Sequence, residues 1–410
     1  MIYNIIKKSE IEDSFKNQFK RVTLLVLISL TVIQQMPLIK DLYYSQIRLT
    51  LYMVFGMFSA ISCLNINKLS KIYFIRYFIL TIAYTFILFI VIKVFKGVSF
   101  EVLELIIPFG VLICSLNTYF DKKQLSNFLV WYVILSAILG ISSIFYYGQG
   151  FTITRNYFLI GKNQIGPLIG ISATITGIWI LNKKQFYLNY DGIFLKVFIF
   201  IALISSILVI RNRSGLLGVS VVAIFALIKE YEFRIYKKSI VFLQCMFIVI
   251  VCAFVLGLFD GLIDIIFRSI FENYNIADIN SISAGRTDVY KMAVEFIGRH
   301  PILGKLGSGE VVFSTPHNYI LNKWVNYGVL LSLPIVLFYL YLWYFAIIEI
   351  KKNNNKTSYS LPVWVLLFSL IVSLVEYTYP YGPGVSQLMV WFLLGQYFKH
   401  NSKARITIEE

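Results

Sequence analysis

The sequence predicts an all-α polytopic membrane protein with about 12 transmembrane helices, and three observations lead to that class. The chain is 58% hydrophobic, with a mean hydropathy of +0.74. Apolar runs long enough to cross a hydrocarbon core of about 30 Å, roughly 20 residues each, recur along nearly the whole length. Within each run the apolar residues are continuous rather than alternating, and a barrel strand would need only about 10 residues, so the runs read as helices.

In order, the runs cover roughly 22–39, 47–66, 73–93, 102–119, 125–147, 163–182, 193–210, 214–229, 239–258, 319–347, 361–379 and 384–398. The segment before the first run carries no small-residue cleavage site and leads into further spans, so it reads as a membrane anchor and not a removed signal. Lys and Arg resist translocation and collect in short cytoplasmic loops. With the N-terminus inside, alternate loops hold 23 of the 37 basic residues, among them Lys20, Arg21, Lys122, Lys123, Lys183, Lys184, Lys237, Lys238, Lys351 and Lys352. Both termini are therefore expected to be cytoplasmic. The net charge of +16 is accounted for by this topology and by anionic inner-leaflet lipid rather than by nucleic acid. Cys63, Cys114, Cys245 and Cys252 all lie inside apolar runs, which suits packing residues and neither a disulfide nor a metal site.

No Gly/Ser-rich linker and no fixed-period repeat divides the chain, so 1–410 reads as one integral domain. Asn353-Asn354-Asn355 reads as a solvated turn, and 399–410 as a short polar tail. The longest polar stretch, 259–318 between the ninth and tenth spans, is expected outside as a periplasmic loop. Within it a helix is predicted from about Thr287 to Arg299, stopped by His300-Pro301. Val289, Met292, Ala293, Phe296 and Ile297 would share one face, with Asp288, Lys291 and Glu295 pointing away. Such an amphipathic helix can lie on the outer membrane surface. Gly304, Gly307 and Gly309 follow as a flexible turn, without the strand-to-helix context of a dinucleotide fingerprint.

Three outward clusters are candidates for chemistry. One is Arg155-Asn156-Tyr157 with Lys162-Asn163-Gln164 ahead of the sixth span; another is Arg211-Asn212-Arg213-Ser214-Gly215 between the seventh and eighth; the third is the loop itself, with Arg286 and His317. Arg211 and Arg213 suit either interfacial snorkelling or capture of an anion. In the second case the guanidinium binds phosphate oxygens in a fork, and the helix start at Ser214-Gly215 adds free N–H groups. His317 is one of 3 histidines. An imidazole there serves either as an interfacial hydrogen-bonding group or as a proton acceptor near neutrality. Glu376 falls near the outer end of its span beside Tyr377, Tyr379 and Tyr381 and reads as a cavity rim. No Asp-x-Asp pair and no His/Cys spacing supports a divalent metal, and no cofactor is expected.

Arg211-Asn-Arg-Ser-Gly at a span junction, Gly285-Arg286-Thr-Asp-Val-Tyr290 opening the helix, His300-Pro-Ile-Leu-Gly304 and then His317-Asn318-Tyr319 resemble, as an ordered set, the Wzy/WaaL superfamily of O-antigen polymerases and ligases. Gly161-Lys162-Asn163 fits the same pattern, and the resemblance covers roughly 150–345. It implies a GT-C-like helical fold and a metal-independent glycosyltransferase acting on undecaprenyl-diphosphate-linked glycans at the outer face of a bacterial plasma membrane. By the same resemblance Arg211, Arg213 and Arg286 would hold the donor diphosphate, and His317 would take the proton of the acceptor hydroxyl. Lys162, Arg155 and Asn163 would hold a second diphosphate or acidic sugars, Ser214 would offer its helix start to the anion, and Tyr290, Asn318 and Tyr319 would contact sugar rings.

The expected function is a polysaccharide polymerase joining lipid-linked repeat units, of O-antigen or capsule type. A ligase moving the glycan to lipid A core shares the same motifs. A lipid-linked sugar flippase also fits the span count, but it would place ionisable groups at the bilayer midplane, where these runs are almost bare. Lipid-linked donor and acceptor, membrane lipids, a chain-length regulator and a flippase are the expected partners.

Overall fold

A computed structural model of the chain describes residues 2–63, 73–96, 103–147, 162–181, 193–233, 278–283, 285–308, 313–352, 360–382 and 386–406. Among these residues there is no strand. The helices are α1 (Ile2–Ile33), α2 (Pro37–Cys63), α3 (Tyr73–Lys96), α4 (Leu103–Asn117), α5 (Lys122–Tyr147), α6 (Lys162–Leu181), α7 (Ile193–Val209), α8 (Arg213–Phe233), α9 (Ile279–Ile282), α10 (Arg286–Arg299), α11 (Lys305–Ser308), α12 (Tyr319–Lys352), α13 (Leu361–Ser373) and α14 (Ser386–Ile406). The described residues are thus all-helical in fold, and several of the helices are apolar in the manner of a membrane protein.

Among the described residues, three helical stretches can cross a membrane by length and composition: Lys122–Tyr146, Asn163–Leu181 and Tyr319–Lys352. A fourth arises if Asn17–Ile33 and Pro37–Tyr43, bent by 96° at their junction, form one span. Tyr73–Leu88, Glu104–Asn117, Ile193–Val209 and Leu361–Ser373 are shorter apolar helices. The expected run at 239–258 lies outside the described residues. The first expected run is divided at 34–36, because Pro37 supplies no N–H and starts α2 at its first position. The expected polar tail is partly structured, since α14 continues to Ile406.

The core is built from α13, every residue of which is buried, flanked by α6, α8, α12 and α14. Small residues set the close crossings. A Cβ on Gly170 would lie 2.6 Å from Phe368 Cζ, and one on Gly218 would lie 2.7 Å from Phe368 Cε2 and 3.0 Å from Val372 Cγ2. Thus α6 and α8 both lean on the Phe368 ring. Ser136 and Gly140 of α5 meet Ser172 and Ile169 of α6, so these helices run antiparallel and α6 starts at the end of the bundle where α4 starts. The start of α4 meets that of α12 through Glu104 and Lys323, and the start of α12 meets the end of α13 through Asn318 and Leu374. Asn212, ahead of α8, meets Gly166 of α6. The start of α8, the start of α6 and the end of α13 therefore share one end of the bundle. At the flank, Ser136 of α5 accepts a hydrogen bond from Ser172 of α6 at 2.7 Å.

The apolar core also carries charge. Lys323 of α12 pairs with Glu104 of α4 at 2.5 Å, with both side chains almost fully buried, and the Lys323 ammonium stands 5.2 Å from the Tyr319 ring centre. Lys196 is buried as well, its ammonium 4.7 Å from the Trp179 ring centre. All three charges lie near the starts of their helices, away from the middles that the sequence leaves almost bare of charge.

The helix predicted for the polar loop is present as α10, one residue longer at its start. Gly285, in left-handed backbone at φ 78°, precedes it, and His300 closes it through its N–H to Phe296 O. Asn280 and Ser283 serve its first turn: Thr287 N donates to Ser283 Oγ at 3.2 Å and Asn280 Nδ2 donates to Asp288. Ala293 and Phe296 are buried against Val325 of α12 beside Ile297 and Phe313, while Asp288, Lys291 and Glu295 are exposed. Met292, expected on the covered face, is instead exposed.

His300-Pro301-Ile302-Leu303-Gly304 proves to be a splice rather than the start of a loose turn. Inside α12, Gly328 breaks the helix at φ 75°, ψ 167°, a region open in practice to glycine alone. The break frees Val329 N–H, which donates to Pro301 O at 2.7 Å, and Ser332 Oγ donates to Gly328 O at 2.6 Å. Gly304 is buried at φ 54° against the same break, and α11 follows it directly. Gly309 lies outside the described residues.

Candidate active site

The polar end of the bundle is organised around one carboxylate. After Ser373 the chain leaves α13 through a turn that buries Glu376 to 4% exposure. Glu376 Oε1 accepts from Arg286 Nη2 at 3.0 Å, and Glu376 Oε2 lies 3.3 Å from His317 Nδ1. Arg286 Nη1 donates to Val375 O at 2.8 Å, and Asn318 Nδ2 donates to Leu374 O at 3.1 Å. Both carbonyls belong to the end of α13, where helices leave acceptors unsatisfied and cations are favoured. Arg286 keeps 27% of its side chain exposed and His317 keeps 37%, so each remains partly open beside the buried carboxylate that anchors it.

The first turn of α10 thus presents Arg286, and the loop entering α12 presents His317. Tyr290, one turn after Arg286, donates its hydroxyl to His317 O at 3.0 Å and ties the two segments together. Burial pushes the Tyr290 phenol above its ordinary range, with Arg286 opposing and Glu376 reinforcing the shift, so it remains a donor at neutral pH. The Tyr377 ring stands 6.0 Å from the His317 ring, edge to face.

Asn318 accepts Leu321 N–H at 3.1 Å through Oδ1 and so caps α12 as well as binding α13. Tyr319 is fully buried, stacked 4.9 Å from Tyr339 and lying 5.4 Å from Tyr381, and offers no open ring face to a sugar. Both residues are accounted for here by structure.

Arg211 and Arg213 flank a tight helix junction. Asn212 N donates to Ile207 O at 3.1 Å and Arg211 N donates to Leu208 O at 2.9 Å, the paired bonds of a Schellman ending, with Arg211 in the left-handed conformation at φ 54°. A glycine would take that position without cost, whereas a side chain pays of order 1–2 kcal/mol. Asn212 then caps α8, accepting Gly215 N–H at 2.7 Å and the Ser214 hydroxyl at 3.2 Å. Its side chain fills the crossing of α6 and α8, where a Cβ on Gly166 would lie 2.2 Å from Asn212 Cγ. Buried Asn212 and Ser214 fix the turn, and half-buried Arg211 and Arg213 emerge on either side of it.

Asn163 is half-buried in the first turn of α6, at the same end of the bundle, and Lys162 begins that helix. Arg155 lies outside the described residues. Among the described residues no three His, Cys, Asp or Glu side chains gather as a metal site would require.

Glu376 is the residue whose part in the site the sequence reading missed. The signal was available: it is the single charged residue between 361 and 398, placed just where the apolar run ends. An acid in such a position needs a partner, and two of the expected site residues supply it.

No curated protein matches the chain. A family model does, over 198–336, which takes in Arg211, Arg213, Arg286, Tyr290, His317 and Asn318 and leaves Lys162, Asn163 and Glu376 outside. The matched family consists of glycan-transferring membrane enzymes, and the match does not separate polymerase from ligase. The model that residues 198–336 match is that of the O-antigen ligase family, Wzy_C, and the match is consistent with a superfamily of the Wzy/WaaL type.

Proposed function

We propose that this protein is a polysaccharide polymerase that joins oligosaccharide repeat units carried on undecaprenyl diphosphate, at the outer face of a bacterial plasma membrane. The observation that supports it most is the convergence of Arg286 and His317 on Glu376, with His317 3.3 Å and Arg286 3.0 Å from its two oxygens, at the bundle end where α6 and α8 begin. Twelve spans with both termini cytoplasmic and a GT-C-like arrangement belong to this reading.

No nucleotide sugar is supplied outside the cytoplasm, so the donor brings its own leaving group. The acceptor hydroxyl gives its proton to His317 as its oxygen attacks the donor C1. The C1–O bond breaks with its electron pair on the diphosphate, which departs still attached to its lipid. Charge builds on that diphosphate through the transition state, and Arg286, with Arg211 and Arg213 from the α7–α8 turn, would stabilise it there more than in the ground state. A preorganised donor of this kind is typically worth about 3–4 kcal/mol. Arg155, Lys162 and Asn163 are proposed for the second lipid diphosphate. A metal has no required part in this scheme.

The matched family, that of O-antigen ligases, favours a second reading, ligation of the glycan to lipid A core. Purified protein given a lipid-diphosphate repeat unit separates the two. A ladder of oligomers supports polymerase. Transfer only when a core acceptor is added supports ligase, and movement across the bilayer without a new glycosidic bond would leave neither standing.

A further inference from the structure

We infer that Glu376 is the positioning residue of this site: it holds neutral His317 as the tautomer protonated on Nδ1, so that Nε2 is the atom that accepts the proton of the attacking hydroxyl. The inference rests on the transferase reading for its purpose, but its geometry stands independently.

An ionised carboxylate only accepts hydrogen bonds. Glu376 Oε1 already takes a guanidinium N–H of Arg286 at 3.0 Å, and Oε2 faces His317 Nδ1 at 3.3 Å. For that contact to be a hydrogen bond, the ring proton must sit on Nδ1, which leaves the Nε2 lone pair free. His317 keeps more than a third of its side chain exposed, whereas Glu376 is 95% covered, so the ring can be reached from outside while the carboxylate that holds it cannot. Tyr290 holds the backbone of the same residue through His317 O. The ring is thereby constrained at both its backbone and its Nδ1 edge.

The arrangement also aims Arg286. Its two terminal nitrogens are divided between Val375 O and Glu376, which fixes the guanidinium plane relative to His317. One carboxylate therefore sets the spacing between the group that takes the acceptor's proton and the group that meets the donor's diphosphate. Loss of the analogous acid behind a catalytic histidine typically lowers turnover by about 10⁴ through the wrong tautomer.

The test uses the full-length protein in nanodiscs with its histidines labelled with 15N. With only 3 histidines, the His317 signals are identified by their loss in His317→Gln. Well above the ordinary imidazole range, long-range 1H–15N correlations should show His317 protonated on Nδ1 in the wild type. In Glu376→Gln the population should move to the Nε2-protonated form or to a mixture. In parallel, Glu376→Gln should lower kcat by about 10²–10⁴ with KM for the lipid-linked donor changed less than about threefold, and Glu376→Asp should recover part of the loss. A wild-type ring protonated on Nε2, or a tautomer unmoved by Glu376→Gln, overturns the inference even if polymer forms. The expected tautomer in a protein that makes no glycosidic bond leaves the inference standing and removes the transferase reading instead.

Discussion

Gly304 and Gly328 meet backbone to backbone: a Cβ on Gly304 would stand 2.5 Å from Gly328 N, and both residues have positive φ. The loop that follows the Arg286 helix is thus set into a break in the helix that begins two residues after His317. Any change at this splice moves the two proposed functional residues relative to each other.

Gly304→Ala and Gly328→Ala should each destabilise the protein by about 1–3 kcal/mol, because backbone atoms that have no room to yield surround both positions. Gly298→Ala, on α10 with open space where its Cβ would go, should instead be neutral or stabilising by up to about 1 kcal/mol. Thermal unfolding in detergent ranks the three. Equal effects at all three sites would deny the splice a special role.

Asn212 and Gly166 should prove coupled. Asn212→Ala removes the cap of α8 and should cost about 0.5–2 kcal/mol. Gly166→Ala should cost about 1–3 kcal/mol in the wild type, but markedly less once Asn212→Gly has emptied the crossing. A double-mutant cycle with no coupling would contradict the packing described.

The buried pair of Lys323 and Glu104 predicts an asymmetry. Lys323→Met alone leaves an uncompensated buried carboxylate and should cost about 3–5 kcal/mol, whereas Lys323→Met combined with Glu104→Leu should restore most of the loss. Unfolding of the single and double variants in the same detergent measures the difference.

Tyr290 gives a pH-dependent prediction. Its phenol is raised above the usual value of about 10, chiefly by burial, so the folded protein holds that proton more tightly than the unfolded chain. Its contribution to stability is then intact below pH about 10 and lost as pH rises through the higher folded value. Tyr290→Phe should cost about 1 kcal/mol at neutral pH through the lost bond to His317 O and should flatten the alkaline fall in stability. Parallel alkaline profiles for the two proteins would show that Tyr290 does not titrate in this way.

The helical class, the limits of α10 and its buried Ala293 and Phe296 were legible because period and stop signals are local. The resemblance in 150–345 was legible because its motifs occur in order, and the family match at 198–336 falls within it. What could not be read was anything that depends on distant segments meeting. Glu376 lies 90 positions from Arg286 and 59 from His317, and no local pattern links them. The same holds for Gly328, whose role depends on a loop arriving from Pro301, and for Tyr319, which looked like a sugar contact in sequence and is enclosed by Tyr339 and Tyr381 in the fold.

The measurement that bears most directly on the proposed activity is polymerisation of a synthetic lipid-diphosphate repeat unit by purified wild type and Arg286→Ala in the presence of EDTA. Wild type should produce a ladder of oligomers despite the chelator, and Arg286→Ala, expressed at the same level, should lower the rate by at least about 10²–10³. A ladder from Arg286→Ala equal to that of the wild type, or a wild-type ladder abolished by EDTA, would contradict the account.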